Sequence, residues 1–187
     1  MSNEYSNSEN ILKSAMEKDM ENIEKTINEV WHDSLQQATD LILNANNVYI
    51  LGLRSSSFLA GYLGFYLSFL IKEVKVVTSG PNDLFEQLLK ADSNDVIIGI
   101  SYPRYSKRTL EALDFCREKG CKIISITDSL ISPASKYSNI SLIASSDMLS
   151  FVDSLVAPMS LINALIVSIG IEKKEEITSY FEDLEAI

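Results

Sequence analysis

Two short segments of this 187-residue chain combine hydroxyl and cationic side chains at the start of a helical pattern. Their sequences are Gly52-Leu-Arg-Ser-Ser-Ser57 and Ser101-Tyr-Pro-Arg-Tyr-Ser-Lys-Arg-Thr109. The first N–H groups of a helix have no intrahelical partner, and serine hydroxyls add further donors, so both segments suit a phosphate dianion. Each hydrogen bond to a charged group contributes roughly 1.5–3 kcal/mol, and four or five of them would bind a phosphate firmly.

The cations of these segments stand against an acidic background. The chain has a formal net charge of −10, with 26 acidic and 16 basic residues. Four of the basic residues nevertheless fall in the two segments: Arg54, Arg104, Lys107 and Arg108. A locally positive potential on a negative chain indicates an anion site. The alternative is that the serines only cap helices and the cations are solvated, but two such segments after alternate strands favour the anion site.

The composition excludes several classes of protein. An apolar fraction of 46% is too high for a disordered chain, and 187 residues suit one domain. The net negative charge argues against nucleic-acid binding by these residues. With one histidine and two cysteines, the sequence predicts no disulfide framework, no metal site and no cofactor. Free cysteines and a polar N-terminus without a signal peptide predict a cytoplasmic protein.

One apolar segment, 151–169, approaches the length of a membrane span. It contains Asp153, Pro158 and Asn163, which favour a buried or interface helix, and no membrane association is expected. This segment and the apolar helix predicted over 56–71 are apolar on more than one face. The aromatic residues of the second helix are too many to leave exposed on a monomer, which predicts a homodimer or tetramer; they are Phe58, Tyr62, Phe65, Tyr66 and Phe69.

The elements that must position the two segments follow from hydrophobic periodicity. Five short apolar runs predict strands at 48–53, 74–77, 95–100, 122–127 and 140–143. Helical patterns occupy 56–71, 83–90, 106–119, a short stretch from 132, and 151–169, with two more at 9–30 and 34–43 and a last one at 173–184. Strands that are apolar throughout are buried on both faces, so the alternation predicts a three-layer α/β/α sandwich with a five-stranded parallel sheet. In such sheets ligands bind beyond the carboxyl ends of the strands, where both segments lie.

At these residues the sequence resembles the sugar isomerase (SIS) domain, a flavodoxin-like fold. The family has a Gly-x-Gly-x-Ser turn after its first strand, which Gly52-Leu-Arg-Ser-Ser56 resembles with Arg54 in the second glycine position. Its second motif, Ser-x-Ser-Gly-x-Thr, is matched in spacing by Ser101-Tyr-Pro-Arg-Tyr-Ser106. Here Pro103 and Arg104 replace Ser-Gly, and Ser106 replaces the threonine. The segment 150–165 is similar to the C-terminal effector domains of RpiR/MurR-type transcriptional regulators.

The resemblance implies a domain that senses a phosphosugar to control genes of carbohydrate metabolism. Residues 1–30 would be a helical connector and 31–187 the SIS domain. DNA contact would come only from a helix-turn-helix domain, which this chain does not contain. The residues expected to bind the ligand are Arg54, Ser55, Ser56, Ser101, Tyr102, Arg104 and Ser106.

The alternative is a stand-alone aldose–ketose phosphate isomerase of the same family. That reaction needs a carboxylate base near C1 and C2 and usually a histidine for ring opening. Glu86 and His32 are the candidates, but Glu86 lies on a short helix after the second strand and His32 lies between two N-terminal helices. Asp153 is explained as a first-turn helix acid. The sequence therefore favours a binding domain over an enzyme.

Overall fold

The structure is a computed structural model that describes residues 8–29, 32–78 and 83–185. Its strands are β1 (Val48–Gly52), β2 (Val74–Val77), β3 (Val96–Ile100), β4 (Lys122–Thr127) and β5 (Ile140–Ile143). Its helices are α1 (Ser8–Glu29), α2 (His32–Leu43), α3 (Ser56–Leu70), α4 (Leu84–Leu88), α5 (Lys107–Glu118), α6 (Val156–Glu172) and α7 (Lys174–Glu185).

The five strands form one parallel sheet in the order β2-β1-β3-β4-β5, as the apolar runs predict. Each residue of β1 and β3 is buried, because helices cover both faces of the sheet. One face packs against α2, α3 and α6 through Ile42, Leu63 and Leu165, and the other against α4 and α5 through Leu88 and Leu113. The three-layer α/β/α sandwich is therefore confirmed.

Local signals define the ends of α5. Ser106 precedes its first residue, and the Ser106 hydroxyl accepts a hydrogen bond from the Thr109 amide at 3.4 Å. Gly120 follows the helix with φ +83°, a left-handed conformation that glycine adopts without steric cost. The helix predicted over 106–119 is therefore present, with each end within one residue of the predicted bound.

Two predicted boundaries are wrong. The helix expected over 151–169 begins at Val156, so Asp153 lies in the irregular segment before it. The reason is Pro158, whose ring clashes with the carbonyl group four residues earlier and confines proline to the first turn of a helix. The short helix expected from Ser132 is a 3₁₀ turn over Ser135–Tyr137. Within the described ranges no helix combines the length and apolarity that a bilayer span requires.

The N-terminal helix α1 is fastened to the segment that follows β5. The buried Asn22 side chain accepts hydrogen bonds from Ser145 Oγ at 2.9 Å and from the Asp147 amide at 3.1 Å, and it donates to the Asp147 carbonyl at 3.0 Å. Thr26 Oγ1 accepts from the Ser145 amide at 2.9 Å. Lys25 pairs with the Asp147 carboxylate. These bonds hold α1 against the domain through polar contacts to backbone groups.

The aromatic face of α3 is only partly covered within the chain. Phe69 stacks on Tyr180 of α7 with ring centroids 5.1 Å apart, and the Tyr62 hydroxyl donates to Asn163 of α6 at 2.7 Å. Phe58 and Phe65 keep 73% and 59% of their surface exposed. A large apolar patch therefore remains on the outside of α3.

Two glycines of α3 test how tightly this helix packs on the sheet. A Cβ at Gly64 would lie 2.2 Å from Val76 Cγ2, whereas a Cβ at Gly61 would meet nothing within 4 Å. Alanine is the better helix former by about 1 kcal/mol, so Gly61→Ala is expected to stabilise the fold by that order. Gly64→Ala is expected to lower the free energy of unfolding by about 1–2 kcal/mol through overpacking. Urea denaturation at one protein concentration measures both, and equal effects would contradict the close packing of α3 on β2.

Candidate functional site

The carboxyl ends of β1 and β3 lie side by side and bring the two predicted segments together. Gly52 is paired with Ile100 in the parallel register, so the chain leaves both strands at the same edge of the sheet. The segments after them enclose a cavity of about 160 Å³. All seven residues expected to bind a ligand line it: Arg54, Ser55, Ser56, Ser101, Tyr102, Arg104 and Ser106.

The first segment depends on a close approach of strand and helix at Gly52. A Cβ on this residue would lie 2.5 Å from the Ser56 carbonyl oxygen and 2.8 Å from Ala60 Cβ. Only glycine allows α3 to start so near the end of β1. Ser56, the first residue of α3, is buried and lines the cavity. The start of α3 thereby lies at the cavity, where the positive end of a helix favours an anion. The Ser57 and Phe58 amides of this turn already donate to the Arg54 and Ser55 carbonyl groups.

Both arginines of the cavity adopt left-handed backbone conformations. Arg54 has φ +56° and Arg104 has φ +66°, and they are the only non-glycine residues with positive φ in the described part of the chain. Such a conformation costs an L-residue about 1–2 kcal/mol relative to a relaxed backbone. Local strain of this kind is frequent at functional sites. These are the two positions at which the sequence replaces glycines of the SIS motifs.

Two hydroxyls of the second segment are buried without a protein partner. Among the described residues, Ser101 Oγ and Tyr102 Oη have this status. A buried polar group without a hydrogen bond destabilises a fold by about 1–3 kcal/mol. Burial, followed by the charge of Asp128, raises the pKa of Tyr102 well above its ordinary value, so its hydroxyl is neutral. The Ser101 hydroxyl at the cavity wall is therefore a donor available to a ligand.

Neighbouring side chains hold the second segment in place. Tyr105 donates its hydroxyl hydrogen bond to the Asp128 carboxylate at 2.9 Å. Burial first, and then this bond and the charge of Asp128, raise the pKa of Tyr105 to about 12. The Ser101 amide donates to the Ile126 carbonyl at 3.1 Å. The loop is thus tied to the end of β4 on one side and to α5 through Ser106 on the other.

Asp153 also lines the cavity, although the sequence favours a purely structural role for it. Its carboxylate accepts from Ser55 Oγ at 3.0 Å and lies 3.3 Å from Arg104 Nη2, with the side chain only 12% exposed. The interpretation as a first-turn helix acid is wrong, because α6 begins three residues later. Pro158 was the signal that could have revealed this. A carboxylate of the protein itself therefore contacts Ser55 and Arg104, two of the residues that are expected to bind phosphate.

The positive charge at the cavity is smaller than the sequence predicts. Lys107 is exposed and pairs with Glu111 at 3.6 Å, and Arg108 pairs with Asp83 at 2.7 Å. Neither side chain lines the cavity, which leaves the two arginines as the cations of its wall in the described structure. Lys107 and Arg108 are the first two residues of α5, and the helical turn places their side chains outside the cavity.

Of the two catalytic candidates, Glu86 lies apart from this cavity. Glu86 is exposed on α4 and is absent from the lining residues. His32 is the first residue of α2, and its side chain lies outside the described residues. The carboxylate that lies at the cavity is instead that of Asp153.

Comparison with known proteins agrees with this geometry. Residues 41–168 match the SIS domain family. An uncharacterized HTH-type transcriptional regulator of Caldanaerobacter subterraneus is 26% identical over 172 residues, which cover 88% of this chain and 60% of that protein. The chain thus spans about three fifths of the length of this curated relative.

Two solved structures share the fold over nearly the whole chain. The sugar isomerase domain of an RpiR transcription factor from Sphaerobacter thermophilus has a TM-score of 0.87 and 26% identity, covering 92% of this chain and 96% of that one. The Vibrio vulnificus NanR protein complexed with ManNAc-6P has a TM-score of 0.81 and 19% identity, covering 96% of this chain and 70% of that one. Because the family match spans more than half of its residues, the chain belongs to the SIS domain family, and it resembles the SIS domains of RpiR-type regulators.

Proposed function

We propose that this chain is the phosphosugar-binding effector domain of an RpiR-type transcriptional regulator that works in the cytoplasm. The observation that carries the proposal is the buried Ser101 hydroxyl, which has no protein partner and lies in a cavity with two arginines and the start of α3. A phosphate group accepts hydrogen bonds from all of these donors. NanR, which shares the fold, was solved as a complex with a phosphosugar.

Within this proposal each cavity residue has a role. Ser55, Ser56, Ser101 and Ser106 donate hydrogen bonds to phosphate oxygens, and Arg54 and Arg104 supply charge. The buried Tyr102 supports the backbone of the second segment. Residues 1–30, which include α1, connect residues 31–187 to a helix-turn-helix domain that binds DNA. The DNA-binding partner domain is suggested by the HTH-type regulator whose sequence this chain matches.

The ligand class is the first prediction of this proposal. We expect hexose and amino-sugar phosphates to bind, and the same sugars without phosphate to bind at least a hundredfold more weakly, because the charge-assisted bonds are lost. Titration calorimetry on matched pairs measures this. Ser101→Ala is expected to weaken binding about tenfold or more, whereas Ser68→Ala, an exposed serine on α3, is the control and is expected to have no effect. Equal affinity for both members of a pair would refute a phosphate site.

The same ligands distinguish the sensor from an isomerase. The observation that favours an isomerase is the Asp153 carboxylate in the cavity. A base there would exchange the C1 or C2 proton of a bound sugar phosphate with deuterated water, which NMR detects. A sensor gives no exchange above background for a phosphate that binds, and exchange lost in Asp153→Asn would establish the enzyme instead.

The arginines give a second prediction, because charge and backbone strain can be separated at Arg54. Arg54→Ala and Arg54→Gly both remove the guanidinium, and we expect both to weaken phosphosugar binding to a similar extent. Only glycine also relieves the left-handed backbone, so Arg54→Gly is expected to be more stable than Arg54→Ala by about 1 kcal/mol. Thermal unfolding of the two variants measures this difference. A variant pair of equal stability would show that the φ of +56° stores no strain.

We further propose that the chain is a homodimer that buries the aromatic face of α3. Phe58 and Phe65 are seven residues apart, on one face of the helix, and both are largely exposed in the single chain. Light scattering is expected to give twice the 20.9 kDa chain mass. Phe65→Glu is expected to shift the mass to the monomer, whereas Leu89→Glu, which changes an exposed leucine beyond α4, is the control. A monomeric wild-type protein at micromolar concentration would refute the dimer.

A further inference from the structure

We infer that Asp153 is an internal counter-anion of the candidate site, and that a phosphate displaces it and thereby loosens the segment that holds α1. The inference rests on the proposed function, because it assigns a regulation to the same cavity. It concerns a residue that neither SIS motif contains.

The contacts of Asp153 are those that an anionic ligand would make. One carboxylate oxygen accepts from Ser55 Oγ at 3.0 Å, and the other lies 3.3 Å from Arg104 Nη2. With 12% of its side chain exposed, the carboxylate is mostly withdrawn from water and is compensated by these two groups. A phosphate dianion that used Ser55 and Arg104 would bring like charges together in the cavity. Simultaneous occupation is therefore unfavourable, and the ligand and Asp153 compete.

The displaced carboxylate has a place to go. Asp153 also lines a second cavity of about 360 Å³, which lies against α1 and has Ala15, Lys18 and Asp19 in its wall. The Lys18 ammonium group pairs there with Glu21 at 3.0 Å and with Asp147 at 3.5 Å. A carboxylate that leaves Arg104 would turn into a space whose wall contains the Lys18 cation together with the Asp19 and Asp147 carboxylates. Asp153 is common to the walls of both cavities and separates the site from α1.

The neighbour of Asp153 carries the movement to α1. Ser154 Oγ donates to the Asp19 carboxylate at 2.6 Å, one residue away from the displaced group. The same irregular segment holds Asn22 through Ser145 and Asp147. Between β5 and α6 this segment therefore contacts the cavity at one end and the connector helix along its length. A shift of Asp153 changes the contacts of α1 without any change in the sheet.

Such an arrangement meets the thermodynamic requirement for a sensor. A ligand shifts an equilibrium only by its difference in affinity for the two states. Here the state with Asp153 in the cavity binds phosphate weakly, and the state with Asp153 withdrawn binds it strongly. The occupancy of the cavity by Asp153 and the attachment of α1 are then linked. Phosphate binding changes the attachment of α1, and a change in that attachment alters the phosphate affinity by the same free energy.

The affinity test uses inorganic phosphate, which has no sugar hydroxyl that Asp153 could bind. Asp153→Asn keeps the size of the side chain and the acceptor for Ser55 but removes the competing charge. We expect it to bind phosphate about tenfold more tightly than the wild type, measured by calorimetry. Asp114→Asn is the matched control, because it removes the same charge from a partly exposed aspartate of α5 that lines neither cavity, and we expect it to leave the affinity unchanged. Asp153→Ser serves the same purpose if the asparagine variant does not fold.

The coupling test follows hydrogen–deuterium exchange in α1. In the wild type, saturating phosphate is expected to raise exchange in the turns of α1 around Asp19 and Asn22. Asp153→Asn is expected to show the raised exchange without phosphate and no further response. Ser154→Ala is expected to bind phosphate at least as tightly as the wild type and to lose most of the response of α1, because the bond to Asp19 is absent.

The outcomes separate this inference from the proposed function. Equal phosphate affinity of the wild type and Asp153→Asn overturns the inference and leaves the phosphosugar site intact. Weaker sugar-phosphate binding by Asp153→Asn with unchanged inorganic phosphate binding also overturns it, since Asp153 would then contact the sugar. Unchanged exchange in α1 of the phosphate-bound wild type overturns the coupling. Failure of every phosphate and phosphosugar to bind either protein refutes the proposed function itself.

Discussion

The parallel pairing of β1 with β3 is the constraint on which the site depends. The register that sets Gly52 beside Ile100 makes two segments, separated by more than forty residues in the chain, leave the sheet at one edge. Helices on both faces then force each segment to turn sharply, since α3 and α5 must run back over buried strands. Every residue of the cavity wall is positioned by one of these turns or by the segment before α6. A slip of one residue in this register would move each side chain of a strand to the opposite face of the sheet and shift the two segments relative to each other.

The cavity combines features that would each be unfavourable in a domain without a ligand. Two arginines occupy left-handed backbone positions, and two hydroxyls are buried without partners in the described structure. Glycines at the arginine positions would be relaxed, as in the family pattern, but would carry no charge. An arginine in place of each glycine therefore introduces backbone strain but also adds positive charge at the cavity, in a chain of net charge −10. Such unfavourable features are typical of functional sites, and a ligand that relieved part of the destabilisation would account for them.

Asp153 lowers the positive charge of the cavity wall, where two arginines face one carboxylate. One of the two cavity arginines is already paired, and the lysine and second arginine at the start of α5 face other acids. The wall thus keeps one cation in excess and one arginine that is already paired, which suits the proposed phosphosugar sensor better than a site that holds an anion permanently. Asp153 is the sequence neighbour of Ser154, which contacts α1. The cavity wall and the attachment of α1 therefore belong to one segment of the chain.

Local patterns in the sequence were sufficient for the fold and for seven of the residues that line the cavity. Apolar runs of four to six residues predicted all five strands, and the helical pattern over 106–119 predicted α5 to within one residue at each end, because such signals act within a few residues of the backbone. Glycine and serine spacing likewise predicted which residues line the cavity. Tertiary structure alone decided that Lys107 and Arg108 turn away, that Asp153 enters, and that Glu86 stays outside. These outcomes depend on how the helix starts and the segment before α6 pack against one another, and that packing joins residues too distant in the chain for any local pattern to register.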